Sequence, residues 1–494
     1  MSAIISAFPL KASPQPKKPS GTLGLGLLVA LVVGSIIGSG IFGLPQNMAA
    51  GASAAAILIG WVVTGFGMLM LVRVFQTLAV RKPKLNNGVY AYARELAGEY
   101  VGFNSAWGYW VSAWIGNVGY LVAAFGALAY FFPLFGEGNT APAILGASIV
   151  LWVIHGMVLR GIQGAAVLNA VVTVAKLVPL VLFIILVALA FKVETFNLNF
   201  WGDAKLGSLF TQVKSTMLVT VWVFIGIEGA SVYSARAKNR EDVGGATAIG
   251  FVICLLLLMS VSLLSLGVYS QPELAALKNP SMAAVLKKAV GTWGAILVYV
   301  GLIISVGGGF LAWMLLAAES LFTPANGGVM PKWLTQQNSA GVPANALWLT
   351  NGLVQAFLLL TLVSKASYLA LISLSTAMIL LPYLLSAAYA LMVAATPNET
   401  RFTKPHNTPA SNTYADVAVA ALATVYCVWL LYAAGLKYLL LSALLYAPGA
   451  VVYAIAKKQR AQTPFKGTEF TLLAVVLALA VIAAYLLFAG KLGL

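Results

Sequence analysis

Apolar runs follow one another along this chain of 494 residues, most of them near or above the roughly 20 residues that cross a bilayer. About 13 can be counted, at 22–50, 54–77, 101–132, 140–159, 164–191, 208–234, 245–269, 291–321, 345–363, 367–394, 414–435, 437–456 and 470–490. Only 9% of the residues are charged, against about 25% in soluble domains. The lipid interior leaves helices as the natural way to pair every backbone group within each run. The chain is therefore expected to be an all-α polytopic membrane protein.

Charge decides the topology. The formal net charge is +16, but the Lys and Arg sit in short loops and not in a nucleic-acid-binding patch. One set of loops holds Lys17/Lys18, Arg81-Lys82-Pro83-Lys84, Arg160, Arg236/Lys238/Arg240, Lys332, Arg401/Lys404 and Lys457-Lys458/Arg460. The alternate set holds Glu137, Glu194/Asp203/Lys205, Glu273/Lys278, Lys365 and Lys437. Under the positive-inside rule the first set faces the cytoplasm, and with it the N-terminal tail, 1–21. An odd span count leaves Lys491–Leu494 outside. A polar stretch separates Lys11, Lys17 and Lys18 from the first span, so that span itself is expected to direct insertion, with no cleaved signal.

Two runs are interrupted. The first contains Gly34-Ser35-Ile36-Ile37-Gly38-Ser39-Gly40-Ile41-Phe42-Gly43-Leu44-Pro45. Four glycines and two serines within it are costly to keep helical. Unwound backbone at membrane depth is tolerated where it is buried in protein or lines a cavity. The sixth run reads Trp222-Val223-Phe224-Ile225-Gly226-Ile227-Glu228-Gly229-Ala230, with an acid between two glycines. The glycines alone would also suit close helix packing. The two breaks lie five spans apart, which instead points to an inverted repeat with a site between its halves. Bare N–H groups on one break and bare carbonyls on the other suit the carboxylate and ammonium of an amino acid.

Other side chains stand out by depth. Glu228 is an acid deep in a span, open to a cationic substrate, a proton or another side chain. Glu319 is expected at the interface. Lys176 lies within the fifth run, either as a fixed or titratable cation or as a lysine snorkelling to headgroups. Tyr109, Trp110, Trp114, Tyr120, Trp222 and Trp313 offer ring faces for a cation. Trp107 and Trp201 are expected at the membrane interface. Asn117 is a mid-span amide that suits either a substrate tail or a bridge between helices. Cys254 and Cys427 read as small buried hydrophobes, and His155 and His406 are isolated, so no metal or cofactor is expected. No paired carboxylates, nucleophile–His arrangement or phosphate loop suggests an enzyme.

Taken together these residues resemble the amino acid–polyamine–organocation superfamily, and within it the basic amino acid/polyamine antiporters. Gly38-Ser39-Gly40-Ile41-Phe42 with Leu44-Pro45 is similar to the family's first-span signature. Trp114-Ile115-Gly116-Asn117 followed by Tyr130-Phe131-Phe132-Pro133, Trp222 through Glu228, and Gly309 to Trp313 resemble the third, sixth and eighth spans of arginine/agmatine antiporters. Leu44 through Ala50 and Asn86 through Ala93 resemble the bacterial arginine/ornithine antiporters.

The resemblance implies a LeuT-type five-plus-five inverted repeat with broken spans 1 and 6. The repeats would occupy 22–191 and 208–394, followed by two or three accessory spans over 414–494, 12–13 in total. It implies backbone N–H donation to the carboxylate from Ser39 and Gly40, and carbonyls for the ammonium from Ile36, Trp222 and Ile225. It assigns the substrate tail to Asn117, Trp222 and Trp313, and a gate to Tyr109 and Glu228. Lys176 departs from the arginine/agmatine pattern and looks like the lysine of proton-coupled members of the superfamily. The expected function is exchange of arginine for ornithine across a bacterial inner membrane. The alternatives are a lysine or histidine carrier, either an amine exchanger or a proton symporter, and more remotely an amino-acid sensor. The expected partners are amino acids and the bilayer, with a homodimer left open and no nucleic acid.

Overall fold

The computed structural model describes residues 24–492 apart from 83–84, 86–87, 162–164, 229–240, 365 and 397–412. Among the described residues the regular structure is all helical. The first run is two helices, α1 (Leu25–Ile36) and α2 (Gly40–Ala49), bent by 48° across the glycine break. There follow α3 (Ala54–Arg81), a short α4 (Gly88–Ala97), α5 (Glu99–Leu128), α6 (Ala141–Leu159) and α7 (Ala165–Leu189). After a loop carrying α8 (Val193–Asn197), the sixth run begins as α9 (Leu209–Trp222) and then unwinds. Its far half, including Gly229, lies outside the described residues. Next come α10 (Glu241–Ser265), the loop helices α11 (Gln271–Ala275) and α12 (Ser281–Val290), and α13 (Thr292–Asn326). The chain closes with α14 (Ala344–Ser364), α15 (Tyr368–Ala395), α16 (Thr413–Lys458) and α17 (Thr468–Phe488).

Nine described helices are long and apolar enough to cross a membrane, and the bent pair α1–α2 makes a tenth. At 46 residues α16 is too long for one crossing of a hydrocarbon core about 30 Å thick. It turns at Gly435, whose φ of 74° is a left-handed conformation that glycine adopts without strain, and so supplies two runs.

Packing follows a shift of five spans. α1 packs on α10 while α3 packs on α9, which pairs span 1 with 7 and span 2 with 6. α1 meets α7 as α9 meets α15, and α5 meets α15 as α13 meets α7. α5 and α6 pack together as α13 and α14 do. Every one of these pairs maps onto its partner when five is added to the span number, as a five-plus-five repeat requires. Two subassemblies result. One is α1–α2, α3, α9 and α10; the other is α5, α6, α13 and α14. Both breaks face the second.

The accessory spans pack at the side. α17 buries Ala480 and Ala483 in its middle and packs on α16, and turns the rest outward, with Val481 69% and Phe488 94% exposed. Such apolar exposure suits contact with lipid. Trp107 is buried between helices, and its indole donates to the Leu445 carbonyl on α16. Trp201 is exposed in the loop after α8.

Candidate functional site

The break in the first run frees backbone groups in both directions. α1 stops at Ile36, and α2 begins at Gly40 with Ser39 as its N-cap. The first N–H groups of a helix have no carbonyl one turn back to meet them. Among the described backbone hydrogen bonds, none uses the N–H of Ser39, Gly40 or Ile41 as donor. The Ser39 hydroxyl pairs with that of Tyr368 on α15 at 3.1 Å. On the carbonyl side, the Lys176 ammonium on α7 takes both Gly34 and Ile37, and the Ser305 hydroxyl on α13 reaches Gly38 at 3.4 Å. The Ile36 carbonyl has no described partner.

The second break lies directly against the first. Gly226 has φ of 106°, and a Cβ there would sit 3.0 Å from the Ser35 carbonyl oxygen, so both conformation and space require glycine. A Cβ on Gly40 would meet the Trp222 indole at 2.8 Å. The Trp222 carbonyl is engaged locally, accepting from the Ile225 N–H at 3.2 Å. The Ile225 carbonyl has no described backbone partner.

A narrow cavity opens where the breaks meet. Ile36, Gly38 and Gly40 line it from the first, Trp222 and Ile225 from the second. Ser112, Gly116 and Tyr120 of α5, Trp313 of α13 and Ser375 of α15 form the opposite wall. Among the described residues, no charged side chain is part of this wall. The Ser375 hydroxyl donates to the Ser112 carbonyl at 2.7 Å, which ties α15 to α5 at the cavity edge. The arrangement is a groove with backbone donors and acceptors at one end, and rings and hydroxyls at the other.

The acid of the sixth run sits beside this groove and not in its wall. The Glu228 carboxylate accepts from the Tyr109 hydroxyl and the Tyr383 hydroxyl, each at 2.7 Å, and from the Gly226 N–H at 3.2 Å. Two helices, α5 and α15, and the second break thus converge on one carboxylate. The Tyr109 ring lies 6.5 Å from that of Trp313, which links this cluster to the cavity wall.

The amino acid permease family model matches residues 23–452, which takes in both breaks and most of the spans. The chain belongs to the amino acid permease family. The permease is 54% identical to an arginine/ornithine antiporter of Pseudomonas aeruginosa, over 97% of this chain and 100% of the relative. It is 43% identical to an arginine/agmatine antiporter of Chlamydia caviae, over 97% and 99% of the two chains. It is also 43% identical to an L-lysine transport protein of Corynebacterium glutamicum, over 96% and 95%.

The permease brings Ile36, Gly40, Trp222, Ile225 and Trp313 to one cavity. Ser39 lies at its edge. Asn117 does not reach the wall: it is fully buried in α5 beside Gly116, and neither amide atom has a hydrogen-bond partner among the described residues. Trp110 and Trp114 turn away to α14, the first donating to the Thr350 hydroxyl at 2.9 Å, the second packing edge-on to Phe357. Of the two expectations for Lys176, snorkelling fails, because the side chain is buried at 2% exposure and bonded to the broken helix. Of those for Glu228, its partners are side chains, Tyr109 and Tyr383. Sequence reasoning missed Tyr383, Ser112 and Ser375. Hydroxyl residues are frequent in these spans, and nothing in their spacing singles these out. Cys254 and Cys427 are free and buried, as small hydrophobes.

Proposed function

We propose that the permease exchanges arginine for ornithine across a bacterial inner membrane by alternating access. The observation that carries this is the meeting of two unwound breaks at a cavity whose described wall bears no charged side chain. Such a site suits a zwitterionic head held by backbone groups, with a cationic tail met by rings and hydroxyls. The name of the 54% identical relative supports the same substrate pair.

In this scheme the Ser39 and Gly40 N–H groups hold the carboxylate, aided by the positive end of α2. The Ile36 and Ile225 carbonyls accept from the ammonium, and the already engaged Trp222 carbonyl shares a second lone pair. The tail passes the Trp222 indole toward Trp313, Ser112 and Ser375, where ring faces attract its charge. Asn117 lies one step behind and pairs with the tail when α5 shifts. Arginine and ornithine have the same head and the same +1 tail, so their exchange moves no net charge. Glu228 with Tyr109 forms a gate beside the site. Lys176 couples the end of α1 to α7 and is the group through which a proton would act.

The N-terminal tail, 1–21, lies in the cytoplasm, as the loop charges require. Residues 22–191 and 208–394 form the two repeats, and 414–494 the accessory spans. Counterflow in proteoliposomes tests the exchange. Vesicles loaded with arginine should accumulate labelled ornithine far faster than unloaded vesicles, and equal rates would sink the proposal. A lysine carrier is the second possibility, favoured by the likeness to an L-lysine transport protein. Competition by arginine, ornithine, lysine, histidine, agmatine and cadaverine separates the two.

A further inference from the structure

Tyr120 is the α5 residue that reaches the first break. It is 6% exposed and lines the cavity. Its hydroxyl oxygen lies over Gly38, where an added Cβ would come within 2.2 Å of it, and a Cβ on Gly309 of α13 would come within 3.4 Å. Bare glycine on both sides therefore makes room for this one phenol. Its ring lies 6.4 Å from that of Trp222. The Tyr368 hydroxyl, the Ser39 N–H and the Trp313 indole N–H lie around the phenol oxygen, and the two N–H groups are donors. No hydrogen bond among the described residues gives the hydroxyl's own hydrogen an acceptor. The hydroxyl lies on the cavity wall, where an incoming acceptor can take its hydrogen.

We infer that Tyr120 is a third donor to the substrate carboxylate, and that it makes the site selective for amino acids over the corresponding decarboxylated amines. A carboxylate brought to the Ser39 and Gly40 N–H groups offers two oxygens. The Tyr120 hydroxyl, one residue away over Gly38, completes the set. A substrate lacking a carboxylate brings no acceptor to these donors, and a site built to hydrogen-bond a group rejects the analogue that lacks it. An amine can then neither compete well with arginine nor serve as its counter-substrate. Tyr120 thus selects for exchange of one amino acid for another, and against exchange of an amino acid for its amine. This rests on the arginine/ornithine exchange proposed above.

Dissociation constants of purified wild-type and Tyr120→Phe protein for arginine, ornithine and agmatine test it. Phenylalanine keeps the ring and removes only the donor. The expected result is arginine and ornithine binding about 10- to 100-fold weaker, the loss typical of a hydrogen bond to a charged group, with agmatine within about twofold of wild type. Equal losses for all three ligands, or no loss for any, would overturn the inference. Tyr120→Met also fills the space without a donor, must give the same split, and stands in where the phenylalanine form does not fold. Wild-type protein that binds neither arginine nor ornithine would overturn the exchange itself. Wild-type protein that binds both, with variants that keep the wild-type preference for amino acids over agmatine, would overturn the role of Tyr120 alone.

Discussion

The Lys176 ammonium donates to the Ile37 carbonyl, an acceptor that exists only because α1 stops one residue earlier. The same ammonium also takes Gly34, so one side chain of α7 closes the carbonyl end of the break. Lys176→Met keeps the length of the stem and strands both carbonyls at membrane depth, at about 1–3 kcal/mol each. Arginine counterflow should fall about tenfold or more. Any uptake that survives should no longer respond to an imposed pH gradient, and a retained response would exclude Lys176 as the coupling group.

Glu228 binds two tyrosine hydroxyls through its two oxygens. Glu228→Gln keeps the shape but turns one acceptor into a donor, which confronts either Tyr109 or Tyr383 with another donor. The carboxylate lies off the cavity wall, so arginine binding should change less than about threefold while exchange slows about tenfold or more, since bonds to charged groups are worth about 1.5–3 kcal/mol. Equilibrium binding and counterflow, measured on the same preparation, give the two numbers.

Gly226→Ala places a methyl group 3.0 Å from the Ser35 oxygen at a φ of 106°. The strained conformation alone costs about 1–2 kcal/mol. The variant should melt several degrees lower in detergent and lose exchange, because the two breaks can no longer approach. A wild-type melting temperature together with wild-type exchange would show that their contact is not needed.

Gly40→Ala collides with the Trp222 indole, and not with backbone, at 2.8 Å. The indole can move, so the protein should fold. Its displacement should raise the KM for arginine about tenfold, about 1.4 kcal/mol of binding, with a melting temperature closer to wild type than that of Gly226→Ala. Transport kinetics beside a thermal melt separate this from the Gly226 variant.

Arg460, just beyond the end of α16, donates to the Ala325, Met330 and Ala456 carbonyls. It therefore caps the C-terminal end of α13, the helix that carries Trp313. Lys457, one turn earlier, pairs with Glu99 at the start of α5. Arg460→Ala should lower stability by about 1–3 kcal/mol through the released carbonyls, with arginine affinity unchanged. A changed affinity with unchanged stability would mean that this end of α16 acts on the site and does not brace the scaffold.

The breaks were legible because their causes are local. Glycine cost in a helix, and the need to pair backbone in lipid, are properties of Gly38-Ser39-Gly40 and Gly226 wherever they are packed. Run length and loop charge likewise gave the spans, including the division of α16 at Gly435. The five-span interval between the breaks was enough to anticipate the repeat that the helix packing displays.

Which side chain meets which was a different matter. Periodicity says how a residue sits around its own helix axis, and nothing about the neighbour it finds there. On α5 alone, Tyr109 turns to Glu228, Trp110 to Thr350, Trp107 to Leu445 and Tyr120 to the first break, though all are aromatics of one span. Tyr383 reaches Glu228 across 155 positions, and Lys176 reaches Gly34 across 142. By itself the sequence determined that unwound backbone must exist in spans 1 and 6. Only the tertiary structure decided that those two segments touch, that a lysine closes one end of the gap, and that a tyrosine hydroxyl lies over the other. Such contacts depend on helix–helix geometry, and no single segment contains it.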